Sequence, residues 1–261
     1  MNITGNTILI TGGGSGIGRG LAEAFHAEGN QVVISGRDQQ KLDETTSANP
    51  GMKALTVDIN DADSIQAFAT QLAEQFPSLN VVIHNAGIMR NENLLKNGGD
   101  VSDAEATITT NLLGPIRLTA ALLPTLQKQP HATIMTVTSG LAYVPLVMTP
   151  TYCATKAALH SYTQSLRYQL RETNVDVLEL VPPYVATQLM GERQANDPHA
   201  MPLGEFITEV MDILKSQPDA REICVGRVKP LRNAVEGGGE KYEQFFQQMN
   251  DKMLAQRHDE F

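Results

Sequence analysis

Tyr152 and Lys156 have the side chains and the spacing of a general acid–base pair. Being four residues apart, they would lie on one face of a helix, one turn from each other. An ammonium at that distance favours the phenolate, so we expect Lys156 to lower the pKa of Tyr152 from about 10 toward neutrality. Ser139 could donate its hydroxyl to the same carbonyl oxygen. The spacing alone is common, and a surface Tyr–Lys pair is the alternative interpretation.

Composition and charge narrow the classes of function. The chain has 261 residues, 41% of them hydrophobic, which suits one large domain or at most two small ones. A net charge of −9 argues against binding to nucleic acid or to an anionic membrane. Cys153 and Cys224 lack metal-ligand spacing and are expected to be reduced thiols, and no metal site is predicted. With neither a signal peptide nor an apolar run of about 18 residues, we expect a soluble cytoplasmic protein.

A glycine-rich turn lies between the first predicted strand and an amphipathic helix. Glycine permits a tight turn there and lets backbone N–H groups approach a pyrophosphate at the helix N-terminus. The glycine spacing is Gly-x-x-x-Gly-x-Gly, and a glycine-rich linker, the alternative, fits poorly between a strand and a helix. The residues expected to contact a dinucleotide here are Gly12, Ser15, Gly16, Ile17 and Gly18.

The end of the second predicted strand indicates which dinucleotide binds. An acidic residue about 20 positions after the glycine turn would bind the ribose 2′-hydroxyl of NAD. Gly36 stands at that position, and the guanidinium of Arg37 could bind a 2′-phosphate instead, which favours NADP(H) over NAD(H). A solvated loop charge is the alternative for Arg37, and Asp38 is predicted to cap the next helix.

Other candidate residues follow later strands. Asp58 could accept a hydrogen bond from the adenine amino group or serve as a turn residue. Asn85, Ala86 and Gly87 come directly after the fourth strand, where small residues suit close approach to a ligand at the carboxyl edge of a sheet. Asn111 lies inside a predicted long helix, an unfavourable position that indicates a functional role.

The predicted strands alternate with helical patterns, which indicates an α/β fold: a Rossmann-type, doubly wound parallel sheet in one domain. Residues 188–219 are rich in Met, Pro and polar side chains and are predicted to form a mobile helical lid. Residues 236–261 are charged and helical in pattern. The predicted strands are Thr7–Thr11, Gln31–Ser35, Ala54–Val57, Leu79–His84, Thr133–Val137, Val175–Val181 and Ile223–Gly226.

Taken in order, these motifs resemble those of the short-chain dehydrogenase/reductase superfamily, in its shorter, non-extended branch. The resemblance covers residues 4–228 and is specific as an ordered set. The segments Thr4–Thr7 and Phe25–Gln31 look similar to a bacterial subgroup named for an oxidoreductase encoded beside lipoteichoic-acid D-alanylation genes. The motif residues are Thr11, Gly12, Gly16, Gly18, Asn85, Ala86, Gly87, Asn111, Ser139, Tyr152 and Lys156.

The resemblance implies a role for each motif residue. Tyr152 would protonate the alkoxide during carbonyl reduction, and Lys156 would bind the nicotinamide ribose and lower the pKa of Tyr152. Ser139 would polarise the carbonyl, Asn111 would hold a water linking Lys156 to solvent, and Thr187 would bind the carboxamide. The implied function is NADP(H)-dependent interconversion of a carbonyl and a secondary alcohol on a small or partly apolar molecule. A non-catalytic nucleotide-sensing protein and a sugar-nucleotide epimerase of the extended branch are the alternatives.

Two positions depart from the family pattern. His84 replaces the Asn that usually precedes Asn-Ala-Gly, a change expected to be structural. Pro183 replaces a Gly after the sixth strand and removes an N–H, so the loop takes a different path. Tyr184 is therefore expected to face the nicotinamide or the substrate, and Tyr143 is the other expected substrate contact.

The helices that begin near Asn111 and Tyr152 are predicted to pair with a second copy of the chain. Members of the family pair these helices across a two-fold axis, so a homodimer or homotetramer is expected. The alternative is that the small residues of the second helix only pack on the sheet. These residues are Ala154, Ala157, Ala158, Ser161 and Ser165.

Overall fold

A seven-stranded parallel sheet organises the chain in a computed structural model that describes residues 1–257. The strand order is β3-β2-β1-β4-β5-β6-β7, so the direction of winding reverses between β1 and β4 and leaves a crevice at their carboxyl ends. This confirms the predicted doubly wound fold. The strands are β1 Thr7–Thr11, β2 Gln31–Gly36, β3 Lys53–Thr56, β4 Leu79–His84, β5 Ala132–Val137, β6 Val175–Val181 and β7 Glu222–Cys224.

Helices connect the strands and cover both faces of the sheet. The helices are α1 Gly16–Ala27, α2 Gln39–Ala48, α3 Ala62–Gln75, α4 Ser102–Ile108, α5 Gly114–Leu126, α6 Pro150–Gln169, α7 Glu192–Ala195, α8 Leu203–Ser216, α9 Lys229–Arg232 and α10 Gly239–Gln256. Short 3-10 turns occupy Gly140–Ala142, Gly226–Val228 and Ala234–Gly237. A π-helical turn at Thr109–Leu113 joins α4 to α5.

Alternate residues of the buried strands point to two separate cores. Ile8 and Ile10 of β1 pack with Phe25 of α1 and Phe206 of α8 on one face. Leu9, between them in β1, packs on the opposite face against α3, α5 and α6. The site helix α6 therefore rests on the second core.

The structure corrects the predicted lid. Its second half is α8, whose Phe206 and Val210 are fully buried, so the helix belongs to the core rather than to a lid. The apolar side chains of α8 form one stripe that packs against α1. This packing explains why the segment is rich in Met and Leu. Only residues 188–202, which include α7, remain as a segment beside the crevice.

Candidate active site

The glycine turn is shaped by close contact with the loop after β4. Gly12 has φ +67°, and a Cβ at Gly18 would lie 2.3 Å from both Asn85 Nδ2 and Gly12 O, so neither position suits another residue. Asn85 Nδ2 donates to Thr11 O at 3.0 Å and to Gly12 O at 3.3 Å. Thr11 Oγ1 in turn accepts from the backbone N–H groups of Asn85 and Ala86. Thr11 and Asn85 thus join the two loops that meet at the crevice.

A cleft of about 310 Å³ lies at this crevice and brings together most of the predicted site. Gly18 and Asn111 do not line the cleft, but each contacts a residue that does: Gly18 lies against Asn85, and Asn111 binds Ile88. The predicted residues that line the cleft are Gly12, Ser15, Gly16, Ile17, Asn85, Ala86, Gly87, Ser139, Tyr152, Lys156 and Thr187.

Arg37 and Asp58 lie away from this cleft. Arg37 is exposed and lines an adjoining cavity of about 150 Å³ together with Gly12, Gly36 and Ala86. Asp38 caps α2 as predicted, because its Oδ1 accepts from Lys41 N at 3.2 Å. Asp58 is exposed, and its Oδ1 accepts from Asn60 N at 3.0 Å, the geometry of the turn residue that was its alternative interpretation.

Helix α6 holds Tyr152 and Lys156 against the carboxyl end of β5. Tyr152 is only 6% exposed and hydrogen-bonds with Ser139. Lys156 Nζ donates to Val137 O at 2.7 Å and lies 5.6 Å from the centre of the Tyr152 ring. Ser139 Oγ also accepts from Leu141 N at 3.1 Å, which fixes the turn that follows it. The hydroxyl, the phenol and the ammonium therefore meet on one side of the cleft.

Burial is the main cause of the pKa shifts of Tyr152 and Lys156. It raises the pKa of the Tyr152 phenol above its ordinary value, and the hydrogen bond with Ser139 only partly opposes that rise. Burial also lowers the pKa of Lys156 from 10.5 to about 8. The expectation that Lys156 brings the pKa of Tyr152 toward neutrality is therefore wrong, since desolvation of the buried phenol outweighs the opposing effect of Ser139.

Asn111 sits in the π-helical turn and binds a backbone segment. Its Oδ1 accepts from Ile88 N, and its Nδ2 donates to Ile88 O, both at 2.9 Å. Nδ2 also contacts Thr155 Oγ1 at 3.3 Å. π-Helical turns recur at functional sites, and this one turns a buried amide toward the loop that follows Gly87. The structure thus explains the unfavourable position of Asn111 by a positioning contact.

Neither tyrosine predicted to contact substrate lines the cleft. Tyr143 OH lies 3.1 Å from His160 Nδ1, and the Tyr143 ring packs against Arg232. Tyr184 OH donates to Asp197 Oδ2 at 3.1 Å and accepts from Arg257 Nη2 at 2.8 Å. Both hydroxyls are held by partners distant in sequence, which no local pattern could reveal.

Sequence reasoning missed several residues around the cleft. Lys41, Ile88, Leu189 and Gln194 line it. Lys41 lies three residues after Asp38, the cap of α2, and is next to Gly14 of the glycine turn. The predicted cap could therefore have indicated that Lys41 lies in the first turn of a helix beside the glycine turn. An apolar cluster also surrounds Tyr152 on the side away from the glycine turn; its members are Met89, Leu141, Leu146, Met148, Cys153, Met190, Met253 and Leu254.

The described part of the chain shows no sign of a metal centre or of a membrane-spanning helix. Within residues 1–257, no group of three or more His, Cys, Asp or Glu side chains could hold a metal ion. No helix in the same range has the length and apolarity needed to cross a membrane.

Comparison with known proteins places this geometry in a family. The family profile described as short chain dehydrogenase matches residues 6–198. The uncharacterized oxidoreductase DltE of Bacillus subtilis is 38% identical over 96% of this chain and 98% of its own length. Dehydrogenase/reductase SDR family member 7B of Bos taurus is 30% identical over 70% of this chain and 58% of its own length.

Solved structures with the same fold carry either cofactor. A short chain dehydrogenase from Burkholderia cenocepacia in complex with NADP superposes with a TM-score of 0.80 at 23% identity, covering 94% of this chain and 99% of that one. One from Burkholderia phymatum in complex with NAD reaches 0.77 at 20% identity, covering 90% and 95%. The predicted resemblance is confirmed, and the chain belongs to the short-chain dehydrogenase/reductase family, as one of its oxidoreductases.

Proposed function

We propose that this oxidoreductase interconverts a carbonyl and a secondary alcohol on a small or partly apolar molecule, using NADP(H). The observation that carries the proposal is the meeting of Ser139, Tyr152 and Lys156 in the cleft formed by the glycine turn. The bound nicotinamide would supply or accept the hydride at its C4 atom. The remaining steps depend on the side chains of this chain.

The residues of the cleft fit a dinucleotide. A Cβ at Gly16 would point toward Thr187 at 3.5 Å, so the glycine turn leaves only a narrow slot beside the N-terminus of α1. Backbone N–H groups at this helix end suit a pyrophosphate, and Ser15 uses its side chain for no capping bond. Thr187 would bind the carboxamide, and Lys156 the ribose hydroxyls.

Tyr152 would act as the general acid during reduction. Because burial raises its pKa, the phenol keeps its proton at neutral pH and can donate it to the carbonyl oxygen. The Ser139 hydroxyl would donate to the same oxygen and stabilise the developing charge. The ammonium of Lys156 would then stabilise the phenolate left behind, and Asn111 would keep the loop at Ile88 in place. A water held near Asn111, as the family resemblance implies, stays a prediction.

A panel of ketones tests the reaction. Wild-type protein should oxidise NADPH with at least one ketone, and Tyr152→Phe should abolish turnover while leaving NADPH affinity intact. The exposed Tyr168→Phe is the matched control and should change neither property. Turnover that survives Tyr152→Phe would refute the assignment of the acid. NADPH binding without turnover on any substrate would favour the alternative, a non-catalytic regulatory protein on the same fold.

The preference for NADP(H) rests on two cations beside the adenosine end. Arg37 lines the adjoining cavity, and Lys41, four residues further along the chain and in α2, lines the cleft itself. Each charge-assisted hydrogen bond to a 2′-phosphate contributes about 1.5–3 kcal/mol, or roughly 10- to 100-fold in affinity. Arg37→Ala should therefore weaken NADPH binding by that factor and leave NADH binding unchanged, with Gln40→Ala as an exposed control. Equal affinity of wild type for NADH and NADPH would contradict the preference.

The proposed partners are a small-molecule substrate and further copies of this chain. Ala154, Ala157, Ser161 and Ser165 are exposed on α6, so the alternative that they pack on the sheet is wrong for these residues. An apolar groove of about 540 Å³ adjoins this face, with Leu94 71% and Leu95 97% exposed at its rim. A homodimer or homotetramer formed through α6 would cover this apolar surface. A cytoplasmic location stays a prediction.

A further inference from the structure

We propose that the C-terminal helix α10 determines which substrates fit beside Tyr152, acting as a clamp between two segments that flank this residue. Asn250 and Arg257 are the positioning residues of this clamp. The first of these segments, called the first wall, is the loop 143–149, whose Leu146 and Met148 pack in the cluster that contains Tyr152. The second wall is the segment 184–194 after β6, which lines the cleft. This inference rests on the proposed function and deepens it.

Asn250 attaches α10 to the first wall. Its side chain is 4% exposed, its Oδ1 accepts from Val147 N at 2.8 Å, and its Nδ2 donates to Pro145 O at 3.1 Å. Nδ2 also donates to Phe246 O within the helix at 2.9 Å, so the whole amide is hydrogen-bonded. A buried amide with three directed bonds fixes a loop more specifically than apolar packing does.

Arg257 attaches the end of α10 to the second wall. Its side chain is 4% exposed, Nη2 donates to Tyr184 OH at 2.8 Å, and Nη1 lies 3.9 Å from Met190 Sδ. Arg193 donates from the same wall back to Gln256 O at 2.8 Å. Tyr184 and Met190 flank Thr187 and Leu189, which line the cleft. Movement of the C-terminal helix would therefore shift the cleft lining itself.

Between these two attachments, α10 contributes to the surroundings of Tyr152. Met253 and Leu254 pack against the cluster that contains Leu146, Met148 and Tyr152. Thioether and leucyl side chains favour an apolar group next to the carbonyl, and methionine adapts its shape to the group it meets. The substrate class that fits is a ketone or secondary alcohol with an apolar substituent, rather than a sugar or a charged acid.

Helix α10 lies outside the part of the chain that the family profile matches. The family profile ends at residue 198, and α10 begins at Gly239. Asn250 is the one buried residue of this helix. Its apolar residues Met253 and Leu254 are only partly buried where they pack on the cluster around Tyr152. The polar and directed attachments of α10 thus indicate that it positions the walls.

The test compares Asn250→Ala and Arg257→Met with Gln247→Ala, an exposed control on the same helix that loses only a bond to Glu243. The assays are NADPH affinity, kcat and KM over a series of ketones of increasing apolar size. Each wall variant should raise KM for the preferred ketone about tenfold, the equivalent of 1.4 kcal/mol, and reduce discrimination by size. NADPH affinity should change less than about twofold, because the glycine turn and α1 lie outside the clamp. Gln247→Ala should match wild type throughout.

Hydrogen exchange provides a readout that does not need a substrate. Backbone amides of the loop 143–149 should exchange about tenfold faster in Asn250→Ala, and those of the segment 184–194 about tenfold faster in Arg257→Met, with α1 unchanged in both. Unchanged exchange and unchanged ketone selectivity would overturn the clamp, and a lowered Tm alone would make α10 merely stabilising. If wild type binds NADPH but reduces no ketone, the proposed function fails, while the exchange result still decides whether the clamp exists.

Discussion

Lys156 combines a role in the proposed chemistry with an unfavourable burial. Its pKa falls from 10.5 to about 8 on burial, a difference that corresponds to about 3 kcal/mol at neutral pH. Between pH 8 and 10.5 the unfolded chain binds more protons than the folded protein, so this contribution makes folding more favourable as pH rises through that window. Below pH 8 the cost is fully present.

We therefore predict that Lys156→Met makes the cofactor-free protein more stable while removing activity. At pH 7 the free energy of unfolding should rise by about 2 kcal/mol, since the lost hydrogen bond to Val137 O offsets about 1 kcal/mol of the gain. Urea denaturation at several pH values measures the difference between variant and wild type, which should shrink above pH 8 and reverse sign by pH 10.5, where only the lost hydrogen bond remains. The exposed Lys128→Met should show no such gap, and a destabilised Lys156→Met at pH 7 would contradict the argument.

His84, the departure from the family pattern at the end of β4, has a predictable effect in acid. Burial lowers its pKa from 6.5 to about 4, and its Nε2 is 2.9 Å from Thr119 Oγ1. Between these pH values the unfolded chain binds the extra proton, so about 3 kcal/mol of stability is lost as pH falls from 6.5 to 4. His84→Asn should remove that loss, whereas exposed His131→Asn should retain it. Equal acid denaturation midpoints for wild type and His84→Asn would refute this account.

At the scale of elements, α6 is joined to the sheet by a polar contact at nearly every turn. Lys156 reaches Val137 O, His160 Nδ1 reaches Glu179 at 2.8 Å, and Thr163 Oγ1 contacts Thr136 Oγ1 at 2.7 Å. Glu179 is fully buried in β6. These contacts fix the position of α6 on the sheet. They thereby hold Tyr152 beside Ser139.

Among these contacts, the one between His160 and Glu179 should lower the free energy of unfolding most when it is removed. Glu179 Oε1 also accepts from Thr138 Oγ1 at 2.7 Å, so the carboxylate anchors the residue that precedes Ser139. His160→Ala should lower the free energy of unfolding by about 2 kcal/mol because it removes a hydrogen-bond partner of the fully buried Glu179 side chain. Adding Glu179→Gln should recover part of that loss, a coupling that a double-mutant cycle in urea measures. Strictly additive effects would show that the two side chains act independently.

At the scale of the whole molecule, the exposed face of α6 predicts association. Its small side chains let a second helix approach closely, and the leucines of residues 94–95 would otherwise leave apolar surface in water. Sedimentation of wild type should therefore give the mass of a dimer or tetramer. Ala157→Arg should reduce that mass, because a long cation cannot be accommodated at a close helix contact, while Gln66→Arg at an exposed position of α3 should not. A monomeric wild type would contradict the predicted assembly.

Much of the fold followed from local patterns. The bounds of β1, β4 and β6 agree with prediction because each strand is rich in Val, Ile and Leu and is followed by a glycine, asparagine or proline. Tyr152 and Lys156 lie on one face of α6 as predicted, since residues four apart share a helix face in any surroundings. The ordered motifs were likewise sufficient for the family.

Contacts between distant segments decided the rest. The hydroxyls of Tyr143 and Tyr184 point to His160 and Arg257, and α8 joined the core because α1 offered an apolar partner. The pKa of Tyr152 rose because desolvation depends on everything packed around a group, which spacing along a chain does not specify. Sequence by itself determined which residues share an element and a sheet edge, because those relations are local. Only the tertiary structure decided burial, direction and partners, because these depend on segments that the chain brings together from far apart.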